Sequence, residues 1–182
     1  MELKGSKTEK NLYKTFAGEC RARSKYNLYS EKAKSEGYMA IAEVFDVIAG
    51  NEYAHSRESY KRYLGKVCDT ESNLIEAVIG EAEESEHLYK EFEEIAGQEG
   101  FEEICKFFKE LREVESEHKQ KFMKLAKELK ENKIFSCDDE CYFKCLNCGY
   151  IYEGNEAPER CPLCKYPKSY FKKLEYKECL NL

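Results

Sequence analysis

The chain has 182 residues, of which 42% are hydrophobic and 36% charged, a mixture typical of soluble amphipathic helices. A formal net charge of −6 and the lack of a basic stripe exclude a nucleic-acid-binding surface. No window approaches the run of about 18 apolar residues that a membrane span requires. The residues before Thr15 are polar and rich in lysine, without an apolar signal segment, which predicts a cytoplasmic protein.

Apolar spacing predicts four long amphipathic helices. They are expected at residues 8–36, 38–63, 70–96 and 101–130, separated by short breaks that contain glycine. Helices joined in this way predict a four-helix bundle that is antiparallel, although the connection between the second and third helices could instead be a crossover.

The sequence of the first two helices resembles that of the last two at an offset of 63 residues. Glu36-Gly37 matches Glu99-Gly100 at this offset. Other matched pairs are Ile41 with Ile104, Phe45 with Phe108, Glu52 with Glu115, and His55 with His118. The sequence therefore predicts two copies of a helix pair, related by a pseudo-twofold axis.

Cysteine and proline usage changes near residue 135. Seven of the ten cysteines and all three prolines follow this point, whereas all three histidines precede it. We therefore expect two domains, residues 1–135 and residues 136–182. In a cytosolic protein, clustered cysteines favour metal ligation over disulfides. Cys137, Cys141 and Cys179 lack a Cys-x-x-Cys partner, and we interpret them as ordinary cysteines.

The C-terminal segment contains two knuckles, Cys145-x-x-Cys148 and Cys161-x-x-Cys164. Aromatic residues around them predict short strands. Two pairs of thiolates suit a tetrahedral zinc or a single iron, and spacing does not distinguish these metals. Fewer than about 50 residues rarely fold without such a staple.

In the second helix the apolar stripe through Ile41, Phe45 and Ile48 continues into Glu52 and His55, so we expect both polar side chains to face the core. A buried carboxylate is costly unless it is protonated, paired or bound to a metal. The fourth helix has a similar apolar stripe, which also continues into a glutamate and a histidine. The other two predicted helices contain further glutamates. These residues predict a dinuclear iron or manganese site; they are Glu19, Glu52, His55, Glu81, Glu84, Glu115 and His118.

Two tyrosines lie close to these glutamates in the sequence. Tyr26 follows Glu19 by two helical turns, and Tyr89 follows Glu84 by five residues. Each is equally well explained as a residue beside the site or as core packing.

These motifs together resemble the rubrerythrin family over nearly the whole chain. The residues that carry the resemblance are Phe16-Ala17-Gly18-Glu19, Glu52-x-x-His55, Gly80-Glu81-x-x-Glu84, Glu115-x-x-His118 and the rubredoxin-like Cys145-x-x-Cys148 and Cys161-x-x-Cys164. The resemblance implies a mainly α protein, with a ferritin-like four-helix bundle followed by a small C-terminal rubredoxin-like domain.

The resemblance also implies a role for each site residue. Glu52 and Glu115 would bridge two irons, and Glu19 and Glu81 would be terminal ligands. Three further positions have implied ligand roles: His118 would hold one iron, whereas Glu84 and His55 would exchange as ligands of the other when its redox state changes. Tyr26 and Tyr89 match tyrosines beside the di-iron site of the family, and the four knuckle cysteines would hold one mononuclear iron.

The implied activity is reduction of hydrogen peroxide to water. Electrons would come ultimately from NADH through partner proteins, such as a rubredoxin or an NADH-dependent reductase. The protein would be a homodimer in which the four-cysteine centre of one subunit serves the di-iron site of the other. One departure is Lys165, which stands where rubredoxin-like sites usually have glycine, so we expect a turn there that is either more strained or differently shaped.

Two other functions compete with this interpretation. An iron ferroxidase or store could use the same bundle, but storage needs no one-electron carrier such as the four-cysteine site. The second alternative is a protein-interaction module, in which zinc stabilises the cysteine domain and the helical bundle holds no metal. The glutamates of the apolar stripes would then be buried without a metal to offset the cost of burying them.

Overall fold

The computed structural model describes residues 2–174, which form long helices followed by a small antiparallel sheet. This confirms the predicted mainly helical fold with a C-terminal strand domain. The chain divides into two compact units, with the division between Cys68 and Asp69. None of the helices within residues 2–174 combines the length and the hydrophobicity that a bilayer-spanning segment needs.

The first unit is a hairpin of two helices, here called the first hairpin (residues 7–63). Helix α1 spans Lys7–Ser35, and α2 spans Met39–Arg57 and continues as a π-helical segment, Glu58–Tyr63. The Ser6 side chain caps α1 by accepting a hydrogen bond from the Glu9 backbone N–H. Gly37, at φ 85°, makes the turn between the helices, a conformation that glycine adopts without steric cost.

Small side chains form the contact between α1 and α2. Ala33, Ala42 and Ala49 are buried there, together with Ser30 and Ser56 of the same hairpin. Such residues let two helix backbones approach closely. Among the larger apolar side chains of α2, Phe45 also packs on α1, with its ring centroid 5.6 Å from that of Tyr29.

Part of the apolar stripe of α2 that we expect to face the core is uncovered within the first hairpin. Ile41 is 52% exposed and Ile48 is 38% exposed. The alanine face of α2, rather than the isoleucine face, packs against α1. The matching residue of the second unit, Ile104, is exposed as well.

The helices of the second unit form the second hairpin (residues 70–130). Helix α3 spans Thr70–Glu83, a π-helical segment spans Glu84–Leu88, α4 spans Tyr89–Gln98 and α5 spans Glu102–Lys130. Asp69 caps α3 by accepting a hydrogen bond from the Ser72 backbone N–H. All four predicted helices are confirmed within two residues at each end, but the π-helical segments were not predicted.

The strands of the second unit form a three-stranded antiparallel sheet in the order β2-β1-β3. Strand β1 spans Ser136–Cys145, β2 spans Ile151–Glu156 and β3 spans Phe171–Lys173. Their core consists of Phe143, Cys145, Ala157, Cys161 and Phe171. Two ligand cysteines thus belong to the core itself, as expected for a small domain held together by a metal. A domain boundary at residue 135 stays a prediction.

Cys137 and Cys141 are joined by a disulfide, so their interpretation as ordinary cysteines is wrong. The register of β1 against β2 is irregular between Ser136 and Cys141, which indicates a bulge. The bulge brings the two Cα atoms to 6.6 Å, whereas four residues of regular strand would span about 13 Å. Cys179 lies outside the described residues.

Candidate metal centres

The first hairpin brings Glu19, Glu52 and His55 together. Each offers a ligand atom, and these atoms all lie within 4.8 Å of one another. The Nδ1 atom of His55 lies 3.0 Å from Glu52 Oε2 and 3.7 Å from Glu19 Oε2. A separation of three residues puts Glu52 and His55 on the same face of α2, and α1 supplies the second carboxylate.

The two carboxyl groups of this cluster shift each other's pKa in opposite directions. The hydrogen bond with Glu52, burial, and the negative charge of Glu52 raise the pKa of Glu19. The hydrogen bond with Glu19, and then the one with His55, lower the pKa of Glu52. Of the two acids, Glu19 therefore holds its proton more tightly, because its pKa is raised while that of Glu52 is lowered.

The second hairpin contains an equivalent cluster of Glu81, Glu115 and His118, whose ligand atoms also lie within 4.8 Å of one another. Here His118 Nδ1 lies 2.7 Å from Glu115 Oε2 and 3.6 Å from Glu81 Oε2. Each distance matches the corresponding one in the first hairpin within a few tenths of an ångström. The sequence repeat at an offset of 63 residues is therefore accompanied by a repeat of the distances between the histidine and the two glutamates.

The second cluster contains a buried oxygen atom without a hydrogen-bond partner, Oε2 of Glu81. Burial, followed by the hydrogen bond and charge of Glu115, raises the pKa of Glu81. An unpaired buried carboxylate oxygen beside a second carboxylate and an imidazole is costly, and a cation would remove that cost. The donor set fits iron or manganese, which bind carboxylate oxygen and imidazole nitrogen.

Three more predicted site residues lie outside the two clusters. Glu84 is half-buried at the start of the π-helical segment and is not one of the three clustered ligands, but its charge raises the pKa of Glu81. Burial, then the charge of Glu84, also raises the pKa of Tyr89. Tyr26 is half-buried, with its ring centroid 6.1 Å from that of Phe45. Tyr89 thus faces the acidic residues, whereas the described contact of Tyr26 is a packing contact.

Cys145, Cys148, Cys161 and Cys164 form the third cluster. The Sγ atoms of Cys145 and Cys164 lie 3.7 Å apart, as do those of Cys148 and Cys161. A tetrahedron with metal–sulfur bonds of about 2.3 Å has edges of about 3.8 Å, so these separations fit a single tetrahedral metal. The cysteines are placed for a metal without rearrangement.

The two knuckles have nearly the same backbone hydrogen bonds. Cys145 N–H donates to Tyr150 O and Cys161 N–H donates to Tyr166 O, both at 2.8 Å. In the first knuckle Gly149 turns the chain at φ 77°, and in the second Lys165 does so at φ 64°. The predicted strain at Lys165 is confirmed, because a side chain is disfavoured at positive φ.

The thiols of the two knuckles differ in acidity. The backbone N–H of Tyr166 is the main cause that lowers the pKa of Cys164 to about 6, and Asn147 assists through its side chain. The backbone N–H of Tyr150 favours the Cys148 thiolate, but burial and the neighbouring thiols outweigh it and raise the pKa of Cys148 to about 12. Asn147 was not recognised from the sequence, because an asparagine between two cysteines resembles any turn residue.

Arg112 was also missed. Its Nε donates to the Ser85 backbone oxygen at 3.2 Å, and its guanidinium pairs with Glu93. Ser85 lies in the π-helical segment that begins at Glu84. Arg112 therefore holds the irregular segment that positions Glu84 and Tyr89. Arginines are common on exposed helix faces, so the sequence provides no signal for this role.

Comparisons with known proteins agree with these centres. A family model described as rubrerythrin matches residues 10–126 and again 72–143, and one described as the rubredoxin-like domain of rubrerythrin matches residues 143–172. Rubrerythrin of Clostridium perfringens is 40% identical, over 93% of this chain and 95% of its own length. Rubrerythrin of Nitratidesulfovibrio vulgaris is 37% identical, over 94% of this chain and 96% of its own.

Solved structures give a more distant likeness. One described as the partially reduced state of nigerythrin aligns with 94% of this chain and 91% of that chain, at 27% identity and a TM-score of 0.36. The family assignment rests on the family models and the curated relatives. With its candidate di-iron carboxylate clusters and its rubredoxin-like four-cysteine site, the chain belongs to the rubrerythrin family of oxidoreductases.

Proposed function

We propose that this protein is a peroxidase that reduces hydrogen peroxide to water at a di-iron centre. The observation that carries the proposal is the pair of equivalent Glu-Glu-His clusters in the same chain as a four-thiolate tetrahedron. The clusters suit a site that stores two electrons, and the tetrahedron suits a one-electron iron carrier. An iron store needs the first but has no use for the second.

Each residue of the clusters has a proposed role. Glu52 and Glu115 would be shared by two irons, while Glu19 and Glu81 would each hold one of them. The remaining ligands would be His118, which would hold one iron, and Glu84 and His55, which would serve as alternate ligands of the other. Glu84 is charged and close to the second cluster without belonging to it, which supports a role as an alternate ligand. An anionic carboxylate suits ferric iron, whereas neutral imidazole suits ferrous iron.

The reaction consumes two electrons and two protons for each peroxide and yields two water molecules. When bound, a ferrous pair supplies both electrons. Tyr89 keeps its proton at neutral pH, because burial and the surrounding carboxylates raise its pKa. Its hydroxyl can therefore donate a hydrogen bond to a peroxide oxygen. Tyr26 has the same proposed function on the first hairpin.

The domain of residues 136–182 is proposed to deliver electrons one at a time, so two deliveries complete one peroxide turnover. A rubredoxin or an NADH-dependent reductase would recharge its iron. We further propose that the protein is a cytoplasmic homodimer, in which the four-cysteine centre of one subunit serves the di-iron site of the other.

Anaerobic stopped-flow spectroscopy tests this function. The fully reduced protein is mixed with hydrogen peroxide or with oxygen, and the visible absorption of the ferric thiolate centre is followed. We expect rapid return of this absorption with peroxide and slow return with oxygen. Faster return with oxygen would contradict the peroxidase and favour a ferroxidase. Absence of colour in either redox state would mean that the cysteines hold zinc.

A further inference from the structure

We propose that Cys137 and Cys141 form a redox site of their own, a dithiol–disulfide pair that exchanges reversibly with a positively charged thiol reductant. The pair shares no residue with the three candidate metal centres, and the inference does not depend on the proposed peroxidase activity. It rests on the state of the other cysteines, the size of the ring that the disulfide closes, the hydrogen-bond acceptors beside it and the charges of the ring.

Disulfide formation is selective in this chain. Within residues 2–174, Cys137–Cys141 is the one disulfide, and seven other cysteines are free thiols. Four of the seven are the ligands of the four-cysteine cluster, which bind a metal only in the reduced state. Where thiols are kept reduced, the disulfides that do form are usually transient and serve redox chemistry. A disulfide among so many free thiols is therefore expected to be reversible.

The fold of the small sheet depends little on this disulfide. It joins cysteines separated by four positions, and the stabilisation that a disulfide provides decreases as the closed loop becomes shorter. The buried core of the sheet includes neither cysteine, because both are half-buried and pack at its edge. Reduction should therefore leave the core intact, as a reversible site requires.

The surroundings of Cys137 suit its reduced form as well as its oxidised form. Its Sγ atom lies 3.7 Å from the backbone oxygen of Gly154 and 3.6 Å from that of Asn155, both in β2. A disulfide sulfur has no proton to donate, whereas a thiol is a weak hydrogen-bond donor. Reduced Cys137 would therefore find an acceptor without any movement of β2.

The disulfide closes the bulge of β1, where the chain is exposed. Ser136 pairs with Glu156 and Cys141 pairs with Gly154, so four residues of β1 lie between these pairs but only one residue of β2. Three of the four are exposed acidic residues, namely Asp138, Asp139 and Glu140. A reductant that approaches the disulfide from the bulge therefore meets three carboxylates in succession.

The ring keeps a negative charge after its ion pairs are considered. Lys133 Nζ lies 2.8 Å from both carboxylate oxygens of Asp138 and offsets one of the three charges. The next lysine, Lys173, is itself paired with Glu128 at 3.1 Å. A negative field attracts a cationic thiol to the disulfide and repels an anionic one. The ring thus favours a reductant with positive charge beside its thiol.

The exchange transfers two electrons in two steps. A thiolate of the reductant attacks one sulfur of the disulfide, the S–S bond breaks as a mixed disulfide forms, and the released cysteine thiolate takes up a proton. A second thiolate of the reductant attacks the reductant sulfur of the mixed disulfide and releases the other cysteine. In sum, the protein disulfide and two thiols become two cysteine thiols and the disulfide of the reductant. The reverse sequence oxidises the pair again.

Three small thiols that differ mainly in terminal charge test the proposal: cationic cysteamine, neutral 2-mercaptoethanol and anionic 3-mercaptopropionate. Full-length protein with zinc in the four-cysteine site is mixed with each thiol and quenched with acid, and the reduced pair is alkylated and measured by peptide mass spectrometry. Rates corrected for the thiolate fraction should fall in that order, by about tenfold from cation to anion. Salt at about 0.5 M should remove most of this difference. Cystamine, the disulfide of cysteamine, should then restore the disulfide in the folded protein.

Two results would overturn the proposal. The first is a disulfide that is reduced only after denaturant has unfolded the sheet, which would make it structural. The second is the same corrected rate for all three thiols at low salt, which would remove the preference for a cationic reductant.

Charge variants provide the matched controls. Asp139→Asn combined with Glu140→Gln removes two charges from the ring, and the difference between the cationic and anionic thiols should largely disappear. Glu102→Gln combined with Glu103→Gln removes the same charge at the other end of α5, about 40 Å away along the helix axis, and should leave the difference in place. Equal behaviour of the two double variants would contradict the role of the ring.

A cysteine variant separates the redox site from a structural disulfide. Cys137→Ser combined with Cys141→Ser keeps the four ligand cysteines, so it should bind Co²⁺ with the same thiolate absorption and the same stoichiometry as the unmutated protein. Loss of this absorption would show that the sheet needs the disulfide in order to fold, and the proposal would fail.

Discussion

At the scale of single residues, the sequence predicted which glutamates and histidines cluster, but not how their pKa values are shifted. The repeat at 63 residues singled out Glu52, His55, Glu115 and His118 from an abundance of glutamates. The opposite pKa shifts of Glu19 and Glu52 depend on their proximity across two helices, which no spacing within one helix reveals. Acidity in the knuckles likewise depends on which backbone N–H groups point at each sulfur.

The turn at Lys165 leads to a prediction about stability. Lys165→Gly should stabilise the iron-loaded four-cysteine domain by about 1 kcal/mol, because glycine adopts φ 64° without the steric cost of a Cβ atom. The midpoint for loss of the ferric thiolate absorption in guanidinium chloride measures this effect. Gly149→Lys is the matched control, and it should lower the midpoint by a similar amount because Gly149 has φ 77°. A lower midpoint for Lys165→Gly would show that the lysine side chain stabilises the turn.

Thiol reactivity in the metal-free, reduced protein should follow acidity rather than exposure. Cys164 has a pKa of about 6 and Cys148 a pKa of about 12, although Cys148 is the more exposed. Because the thiolate is the reactive form, iodoacetamide at pH 7 should modify Cys164 first. Its rate should fall as the pH drops through about 6, whereas Cys148 should react only in strong alkali. Peptide mapping of partly alkylated protein provides the measurement, and faster labelling of Cys148 would contradict it.

At the scale of elements, helix periodicity predicted the helices within two residues, and the irregular features were missed. A π-helical segment adds only one residue to a turn, so the apolar pattern around Glu84 is the same for α- and π-helix. The Cys137–Cys141 disulfide depends on a bulge in β1, and the bulge depends on pairing with β2. The alanine face of α2 was overlooked because large apolar residues on another face dominated the pattern.

Arg112 should stabilise the π-helical segment locally. Arg112→Lys removes the planar guanidinium that contacts both Ser85 O and Glu93, and it should cost about 1–2 kcal/mol. Hydrogen exchange at the amides of residues 84–89 should become faster, whereas exchange in α1 should not change. Glu93→Gln is the control that weakens the ion pair and keeps the bond to Ser85. Unchanged exchange in the segment for Arg112→Lys would show that the helix holds this irregularity by itself.

At the scale of the whole molecule, the order of four helices followed by two cysteine knuckles was predictable from the sequence. The division into two compact units between Cys68 and Asp69 was not predicted. The expected boundary near residue 135 rests on cysteine and proline usage, whereas compact units depend on which helices contact one another.

The proposed division of labour predicts opposite effects for two substitutions. Glu52→Ala removes a bridging carboxylate and should abolish paired metal binding, so reduced protein should no longer react rapidly with peroxide. Cys161→Ala breaks the four-cysteine site and should preserve one reaction with peroxide after chemical reduction, but stop continuous NADH-driven turnover. Single-turnover and steady-state assays separate the two. If both variants turned over like the unmutated protein, the proposed electron transfer from the four-cysteine site to the di-iron site would be refuted.

The overlap between the four-cysteine cluster and the core of the small sheet also has a consequence for the lifetime of the protein. Cys145 and Cys161 are core residues as well as proposed ligands, so loss of the metal would loosen the packing around Phe143 and Phe171. A chain that has lost this metal would therefore be a better substrate for proteases than a loaded one, and its abundance would follow the supply of metal.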